Sequence, residues 1–181
     1  MTKRPASARL TLPVGERDHV RGPATAPVTL VEYGDYECPH CGRAYPIVKQ
    51  VQESMGGRLR FVFRNFPLRE SHPHAQSAAE AAEAAGAQGK FWDMHDRLFE
   101  RQFALEDASL VEYALELGLD GERFRRELER RVYEPRVRED FRSGVMSGVN
   151  GTPTFFINGE RYDDGWDAAT LLAALERAAG G

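Results

Sequence analysis

Cys38-Pro39-His40-Cys41 contains the only two cysteines among the 181 residues. An apolar, strand-like run ends just before it, and a helix-like run begins inside it. Two cysteines are too few for a disulfide framework. In a reducing compartment such a close pair is more often catalytic or metal-binding. The stretch therefore predicts a reactive site at the junction of a strand and a helix.

The residues on both sides of this junction predict a β-α-β unit. Val28–Tyr33 is apolar and β-branched, as expected of a buried strand. Pro39 occupies the first helical position, where its missing N–H costs nothing. The helix should run to about Met55 and end at Gly56-Gly57. Arg58–Arg64 alternates polar and apolar residues and predicts a second strand, parallel to the first with a right-handed crossover.

The pattern becomes helical after Pro67. An alanine-rich segment from His74 to Ala87 predicts the first helix, because alanine has the highest helix propensity. Asp120 is a plausible N-cap for a later helix. Apolar residues at helical spacing indicate the others: Phe91, Met94, Leu98, Phe99, Leu110, Val111, Ala114, Leu115, Val137, Phe141 and Val145. This block predicts a helical subdomain inserted in an α/β domain.

A strand pattern returns at Gly151–Ile157, which is entered through Pro153. Asn158-Gly159 predicts a two-residue hairpin turn, so Glu160–Tyr162 should pair back antiparallel. Asp167 can cap the last helix. The whole order is βαβ–ββα around an insertion, an α/β fold.

Four segments follow from these patterns. Residues 1–27 are interpreted as an N-terminal arm with a short strand near Leu10–Val14. Residues 28–67 and 146–181 form the two parts of the α/β domain, and residues 68–145 form the inserted helical subdomain.

Composition restricts the classes of partner. The net charge of −4, with 41% hydrophobic and 29% charged residues, is typical of a globular protein with a core. It lacks the basic character of a nucleic-acid-binding protein. The basic N-terminus has no apolar region behind it, so neither a secretory signal nor a membrane span is expected. The expected location is the cytoplasm, or the periplasm if an export signal was removed.

The motifs together resemble one family, the DsbA-like disulfide oxidoreductases of thioredoxin fold, from about residue 15 to residue 179. The Pro-His dipeptide between the cysteines, the helical insertion and the Thr-Pro at the third strand carry this resemblance. Further similar stretches are Val31-Glu32-Tyr33-Gly34-Asp35-Tyr36-Glu37, His72-Pro73-His74-Ala75, Gln88-Gly89-Lys90-Phe91-Trp92 and Gly151-Thr152-Pro153-Thr154-Phe155.

The resemblance implies a role for each matching residue. Cys38 would be the exposed nucleophile and Cys41 the buried resolving cysteine. Pro153 would be cis, with Thr152 beside the dithiol and its backbone free to pair with an extended peptide substrate. Glu32 would be a buried carboxylate beneath the dithiol.

Disulfide exchange needs a thiolate, and an ordinary cysteine is mostly protonated at neutral pH. A helix N-terminus offers unpaired N–H groups and a partial positive charge, which favour a thiolate at Cys38. Cys41, one turn later, can close the disulfide and release a trapped substrate. His40 between them should favour the thiolate further. A stabilised thiolate makes an oxidising couple, and the compartment then decides the direction of exchange.

Alternatives remain for several residues. The cysteines could form half of a zinc site with His40, His72 or His74, although zinc prefers four ligands. His72 and His74 could instead serve only helix entry and packing.

The same holds for the residues around the dithiol. Glu32 could face solvent, or it could accept the proton of Cys41 through water. Pro153 could be an ordinary trans proline. Tyr36 is predicted to line the substrate surface. The aromatic pairs Phe91-Trp92 and Phe155-Phe156 are predicted to lie in the core.

The leading functional hypothesis is a thiol–disulfide oxidoreductase that acts on protein cysteines through a mixed disulfide at Cys38. No cofactor is needed, and neither nucleic acid nor membrane is an expected partner. Glutathione or a thioredoxin-type system would recycle the dithiol. A glutathione-dependent reductase or isomerase and a non-catalytic, metal-binding module are the alternatives.

Overall fold

The computed structural model describes residues 8–180, and the chain divides into two compact units. The first, here called the sheet unit, comprises residues up to 34, 43–64 and from 142 onward. The second, the helical unit, comprises residues 35–42 and 65–141. Cys38 and Cys41 thus belong to the helical unit, in which most of the inserted block is found.

The fold is mixed α/β, and the described residues form a sheet of five strands in the order β1-β3-β2-β4-β5. The strands are β1 (His19–Arg21), β2 (Val28–Gly34), β3 (Leu59–Asn65), β4 (Thr154–Ile157) and β5 (Glu160–Tyr162). Strand β1 pairs antiparallel with β3, β2 with β4, and β4 with β5. The predicted hairpin at Asn158-Gly159 is confirmed, because both residues have the positive φ that such a turn requires.

The strand predicted near Leu10–Val14 is wrong, and the arm contributes β1 instead. Pro13 has no N–H to give to a strand. The Leu12 and Pro13 carbonyls accept hydrogen bonds from the Arg64 guanidinium, at 2.9 and 3.3 Å. This part of the arm therefore covers a buried cation rather than extending the sheet.

The helices are α1 (Pro39–Met55), α2 (Ala75–Gly86), α3 (Phe91–Glu100), α4 (Asp107–Glu116), α5 (Gly121–Glu129), α6 (Glu134–Met146) and α7 (Ala168–Ala178). Within the helical unit, α2 packs against α3, α4 and α5. Its alanines are buried and let the neighbouring helices approach closely. No helix within residues 8–180 is long and apolar enough to cross a membrane.

Both predicted helix caps are confirmed. Asp120 accepts the Arg123 N–H at 2.9 Å, and Asp167 accepts the Thr170 N–H at 3.0 Å. Each carboxylate satisfies an N–H that has no partner inside its helix and lies at the positive end of the helix dipole.

The aromatic pairs predicted for the core are buried at Phe91, Phe155 and Phe156, whereas Trp92 is half-buried. In the sheet unit, the ring of Phe156 contacts the ring of Tyr33 edge-on, with 5.8 Å between their centroids.

The sheet unit also contains a buried ion pair. Arg64 is fully buried, and its Nε and Nη2 donate to the two carboxylate oxygens of Asp18, at 2.8 and 3.0 Å. Its Nη1 donates to the Tyr33 hydroxyl at 2.9 Å. Burial alone would raise the pKa of Asp18, but the hydrogen bonds from Arg64 and the Gly15 N–H, with the charge of Arg64, lower it. The arrangement satisfies a buried charge that would otherwise be very costly.

Candidate dithiol site

Helix α1 begins at Pro39, as predicted, so Cys38 immediately precedes the helix and Cys41 lies in its first turn. The Gly42 N–H donates to the Cys38 carbonyl at 3.0 Å. The two cysteines are in the thiol form and are not joined by a disulfide. The helix N-terminus thus lies beside Cys38, where its partial positive charge favours a thiolate.

The predicted exposure of Cys38 is wrong. The residue is 3% exposed, and Cys41 is completely buried, as the resemblance implied. Cys38 is drawn inward because its N–H donates to the Asp35 carbonyl at 3.2 Å, which folds residues 35–38 into a tight turn. Only a small part of Cys38 is therefore accessible to a substrate.

Asp35 contacts both cysteines through its backbone. Besides accepting the Cys38 N–H, it donates its own N–H to the Cys41 sulfur at 3.5 Å. Hydrogen bonds to a sulfur favour its charged form. The backbone of Asp35 therefore sets the position of Cys38 and polarises Cys41.

The Asp35 side chain is just as fully bonded. One carboxylate oxygen accepts the Glu37 N–H at 2.8 Å, and the other accepts the Leu68 N–H at 2.9 Å. The second oxygen also lies 2.8 Å from Nδ1 of His72. Asp35 is 2% exposed, so these contacts stand in for water around a buried carboxylate.

His72 is more basic than an ordinary histidine. Burial by itself lowers the pKa of His72, but the hydrogen bond and charge of Asp35 outweigh it and raise the pKa. The charges of Cys38 and Glu37 act in the same direction. The imidazolium is thus stabilised by three groups of the turn that holds the nucleophile.

Gln102 holds the other side of this turn. Its amide nitrogen donates to the Tyr36 carbonyl at 2.9 Å and to the Cys38 carbonyl at 2.7 Å. A Cβ at Gly42 would overlap the Gln102 amide, so glycine leaves the room that this contact needs. Two carbonyls flanking the nucleophile are fixed by one side chain.

Tyr36 does not line the surface, contrary to the prediction. It is 1% exposed, its hydroxyl lies 3.0 Å from Nδ1 of His95, and its ring lies 4.9 Å from that of Phe99. A large aromatic ring with one polar atom is well suited to a buried position where that atom has a partner. Tyr36 therefore anchors the turn in the helical unit.

The remaining predicted residues divide between the two units. Pro39 and His40 are exposed at the start of α1. Glu32 lies on β2 opposite Phe155 and is 3% exposed, so the solvent-facing alternative is wrong. The Thr152–Pro153 peptide bond is cis. The roles of Glu32, Thr152 and Pro153 in exchange stay predictions.

The histidines considered as zinc ligands have other surroundings. His72 bonds to Asp35, and the backbone N–H of His74 donates to the Glu37 carboxylate at 2.6 Å. Across residues 8–180, no group of three or more His, Cys, Asp or Glu side chains could hold a metal ion.

Sequence reasoning missed Asp35, Gln102 and the bond of His72. The contact of Asp35 with the N–H two residues on is an Asx turn, which could have been predicted. The contacts with Leu68 and His72 span 33 and 37 residues, and the one between Gln102 and Cys38 spans 64. Contacts at such separations leave no local pattern.

Solved structures with the same fold include three bacterial proteins. BdbD from Bacillus subtilis, in its oxidised form, is 24% identical with a TM-score of 0.84 and matches over 97% of this chain and 98% of its own. A thioredoxin-like oxidoreductase from Silicibacter pomeroyi DSS-3 is 28% identical, with a TM-score of 0.78 and coverage of 92% and 95%. A variant of alpha-DsbA1 from Wolbachia pipientis is 21% identical, with a TM-score of 0.78 and coverage of 97% and 96%.

Curated relatives carry a different name. A Na⁺/H⁺ antiporter NhaA 1 of Salinispora arenicola is 50% identical over 173 residues, which are 95% of this chain and 26% of the antiporter. NhaA of Herminiimonas arsenicoxydans is 47% identical over 161 residues, 89% of this chain and 25% of its own length. The chain spans about a quarter of the length of these relatives.

The thioredoxin family model matches residues 15–177, which is most of the sequence. The five-stranded sheet, the helical block and the two cysteines three residues apart agree with that match. The chain therefore belongs to the thioredoxin family and has the fold of its DsbA-like thiol–disulfide oxidoreductases.

Proposed function

We propose that the protein is a thiol–disulfide oxidoreductase that exchanges disulfides with protein cysteines. The observation that carries this proposal is the position of Cys38 directly before α1, with Cys41 in the first turn of that helix. The helix end favours the thiolate, and the spacing allows a disulfide between the two cysteines. The likeness to a thioredoxin-like oxidoreductase supports the same reaction.

In the reducing direction, the Cys38 thiolate attacks one sulfur of a substrate disulfide. A mixed disulfide forms at Cys38, and the other substrate sulfur leaves as a thiolate. Cys41 then loses its proton and attacks the Cys38 sulfur. The Cys38–Cys41 disulfide forms, and the second substrate thiolate leaves, so the substrate gains two electrons and the protein loses two.

The residues around Cys41 suit the second step. The Asp35 N–H that bonds to the Cys41 sulfur stabilises the negative charge that develops there. We propose Glu32 as the acceptor of the Cys41 proton and the backbone of Thr152 as a site where the substrate peptide pairs. Oxidation of a substrate dithiol is the same sequence in reverse.

The direction depends on the surroundings. A stabilised thiolate favours the reduced protein, so the couple is oxidising compared with an ordinary dithiol. In a compartment rich in reduced glutathione, the protein would be held reduced and would reduce or isomerise strained disulfides. In an oxidising compartment it would donate its disulfide. Glutathione or a thioredoxin-type system is the proposed recycling partner.

Insulin reduction and the refolding of scrambled ribonuclease test this function directly. The wild type should be active in at least one assay, and Cys38→Ser should abolish that activity. Cys41→Ser should accumulate a mixed disulfide at Cys38, visible as an adduct on a non-reducing gel. Activity that survives in Cys38→Ser would contradict the mechanism. A rate that requires glutathione, without activity on protein disulfides, would favour the glutathione-dependent alternative.

The curated relatives support a second proposal. Because 95% of this chain is 50% identical to part of a Na⁺/H⁺ antiporter, we propose that the dithiol exchanges disulfides with cysteines of such a transporter. The exchange reaction would be the one described above, with a disulfide of the antiporter as the substrate of the reduced protein and an antiporter dithiol as the substrate of the oxidised protein. This proposal concerns the partner and leaves the chemistry unchanged.

Membrane vesicles that contain such an antiporter provide the test. Reduced Cys41→Ser protein should attack a disulfide of the oxidised antiporter and capture it as a mixed disulfide that reductant releases, whereas a Cys38→Ser/Cys41→Ser variant should not. Addition of the oxidised wild type should also change the sodium-dependent proton flux, whereas addition of the double variant should leave it unchanged. This partner would be ruled out if Cys41→Ser captured no more antiporter than the double variant did, and if the oxidised wild type and the double variant gave the same flux.

A further inference from the structure

The side chains of Asp35 and His72 form a pair that the exchange reaction above does not use. Asp35 accepts the Cys38 N–H with its carbonyl and gives its N–H to the Cys41 sulfur. Its carboxylate lies 2.8 Å from Nδ1 of His72. One residue therefore connects both cysteines to a titratable imidazole within the same unit.

The charges around this pair are unequal in the two redox states. The Asp35 carboxylate lies 2.8 Å from Nδ1 of His72, and the negative charges of Cys38 and Glu37 also raise the pKa of His72. The Cys38 charge exists only when the dithiol is reduced, because a disulfide sulfur carries none. The imidazolium thus has one more attractive neighbour in the reduced protein than in the oxidised protein.

This difference has to act in both directions. A group that is stabilised by a thiolate stabilises that thiolate by the same free energy, since coupling between two sites is reciprocal. The side chain of His72 is 18% exposed and that of Asp35 is fully buried, so water screens the interaction less than it would at the surface. Removal of the imidazolium would leave the Asp35 charge uncompensated next to the cysteines.

We propose that His72, held by Asp35, is a positioning residue for the dithiol and takes up a proton when the Cys38–Cys41 disulfide is reduced. The proposal rests on the proposed exchange function and adds a residue to its site. In the reaction, two electrons from a reducing dithiol or from two glutathione thiols cleave the S–S bond. Cys38 becomes a thiolate, Cys41 takes one proton, and His72 takes a further fraction of a proton from solvent.

Two titrations of the purified protein test this directly. Proton NMR of the imidazole signals, assigned by isotope labelling of the wild type, should show a higher pKa for His72 in the reduced wild type than in the oxidised one. The ultraviolet absorbance of the thiolate, followed against pH, should show that His72→Gln lowers the acid dissociation constant of the Cys38 thiol about three- to tenfold, where tenfold is one pKa unit. Glutamine keeps a donor for Asp35, so the change isolates the charge.

Two further variants complete the comparison. His74→Gln removes an imidazole two residues away while keeping the backbone N–H that bonds to Glu37. The Cys38 thiol of this variant should titrate as it does in the wild type. His72→Arg should keep the thiolate stabilisation and lose its pH dependence between about pH 5 and pH 8, because only the histidine titrates there. The equilibrium constant with glutathione, measured over the same pH range, reports the number of protons taken up on reduction. In His72→Gln and in His72→Arg, its pH dependence should lack the fractional proton that His72 takes up in the wild type.

The proposal is overturned if His72 has the same pKa in the oxidised and reduced wild type. It is also overturned if His72→Gln and His74→Gln have equal thiolate titrations. The NMR comparison uses only the wild type and covers the case in which a variant fails to fold. These titrations need no protein substrate, so a wild type that is inactive in both the insulin and the ribonuclease assay would contradict the proposed function without deciding this one.

Discussion

Two buried aspartates in this protein have opposite kinds of partner. In the sheet unit, Asp18 receives two hydrogen bonds from Arg64, whose side chain is fully buried. In the helical unit, Asp35 receives two backbone N–H bonds and lies against His72, a partly exposed imidazole. Both carboxylates have their hydrogen-bonding capacity satisfied, so the difference lies in the charge of the partner.

That difference separates a structural pair from a chemical one. Arginine stays protonated in proteins, so the charge of the Asp18–Arg64 pair is fixed at any ordinary pH. Histidine changes charge near neutral pH. A protein that needs a constant core charge can use the first arrangement, whereas a site whose charge must follow a reaction can use the second. Four experiments test whether the two aspartate pairs differ in this way.

The largest effect is expected from the fixed pair. Arg64→Met should lower the free energy of unfolding by about 3–5 kcal/mol, because it leaves Asp18 buried without its counter-charge. Urea denaturation measures the loss. The double variant Asp18→Asn/Arg64→Met should recover part of it, since no lone charge remains. A loss below about 1 kcal/mol would mean that the pair behaves like a surface ion pair.

Asp35→Asn should have the next largest effect. An amide has one acceptor oxygen, whereas the Asp35 carboxylate accepts from Glu37, Leu68 and His72 with two. One backbone N–H should therefore lose its partner, at a cost of about 1–3 kcal/mol. Asp120→Asn is the matched control, because asparagine is an equally good N-cap and that cap is exposed. Equal denaturation midpoints for the two variants would contradict this account.

Gln102→Ala separates hydrogen bonding from charge at the dithiol. It removes the donor to the Tyr36 and Cys38 carbonyls and should cost about 1 kcal/mol of unfolding free energy. Insulin reduction should slow, because the turn that holds Cys38 loosens. Since glutamine is uncharged, the pH dependence of the thiolate should stay that of the wild type. A shifted titration in Gln102→Ala would show that backbone position, rather than the His72 charge, controls the thiolate.

The smallest effect is expected in the pH dependence of stability. The folded-state pKa of His72 is raised, so its contribution is complete below its unfolded pKa of about 6.5 and is lost as pH rises through the folded value. The pKa of Asp18 is lowered, so its contribution is complete above about 3.9 and is lost as pH falls through the folded value. The two pairs should act in separate pH windows.

Urea denaturation of the oxidised wild type and oxidised His72→Gln measures the first window, free of thiol titration. The two stabilities should differ most at mildly acid pH and converge as pH rises above the folded pKa of His72. The acid limb, to which the lowered pKa values of Asp18 and Asp167 contribute, should be the same in both proteins. A constant difference at every pH would show that His72 contributes packing and no charge.

The fold could be predicted from sequence to a large extent. Apolar runs indicated β2 and β3, the Asn158-Gly159 turn identified the hairpin, and Asp120 and Asp167 identified two helix starts. These signals are local, because a strand, a turn or a cap depends on residues close together in the chain. The strand predicted near Leu10–Val14 failed for the opposite reason, since the carbonyls there bond to Arg64, far along the sequence.

The dithiol shows the same division. The sequence alone predicts that Cys38 and Cys41 lie one turn apart at a helix start, because spacing and Pro39 are local properties. The burial of Cys38 and Tyr36, the hydrogen bonds of Gln102 to their carbonyls and the contact of His72 with Asp35 are seen in the folded chain alone. Burial and charge pairing arise where distant segments meet, so no local pattern encodes them. The sequence thus located the reactive sulfur, and the folded chain determined the charges that surround it.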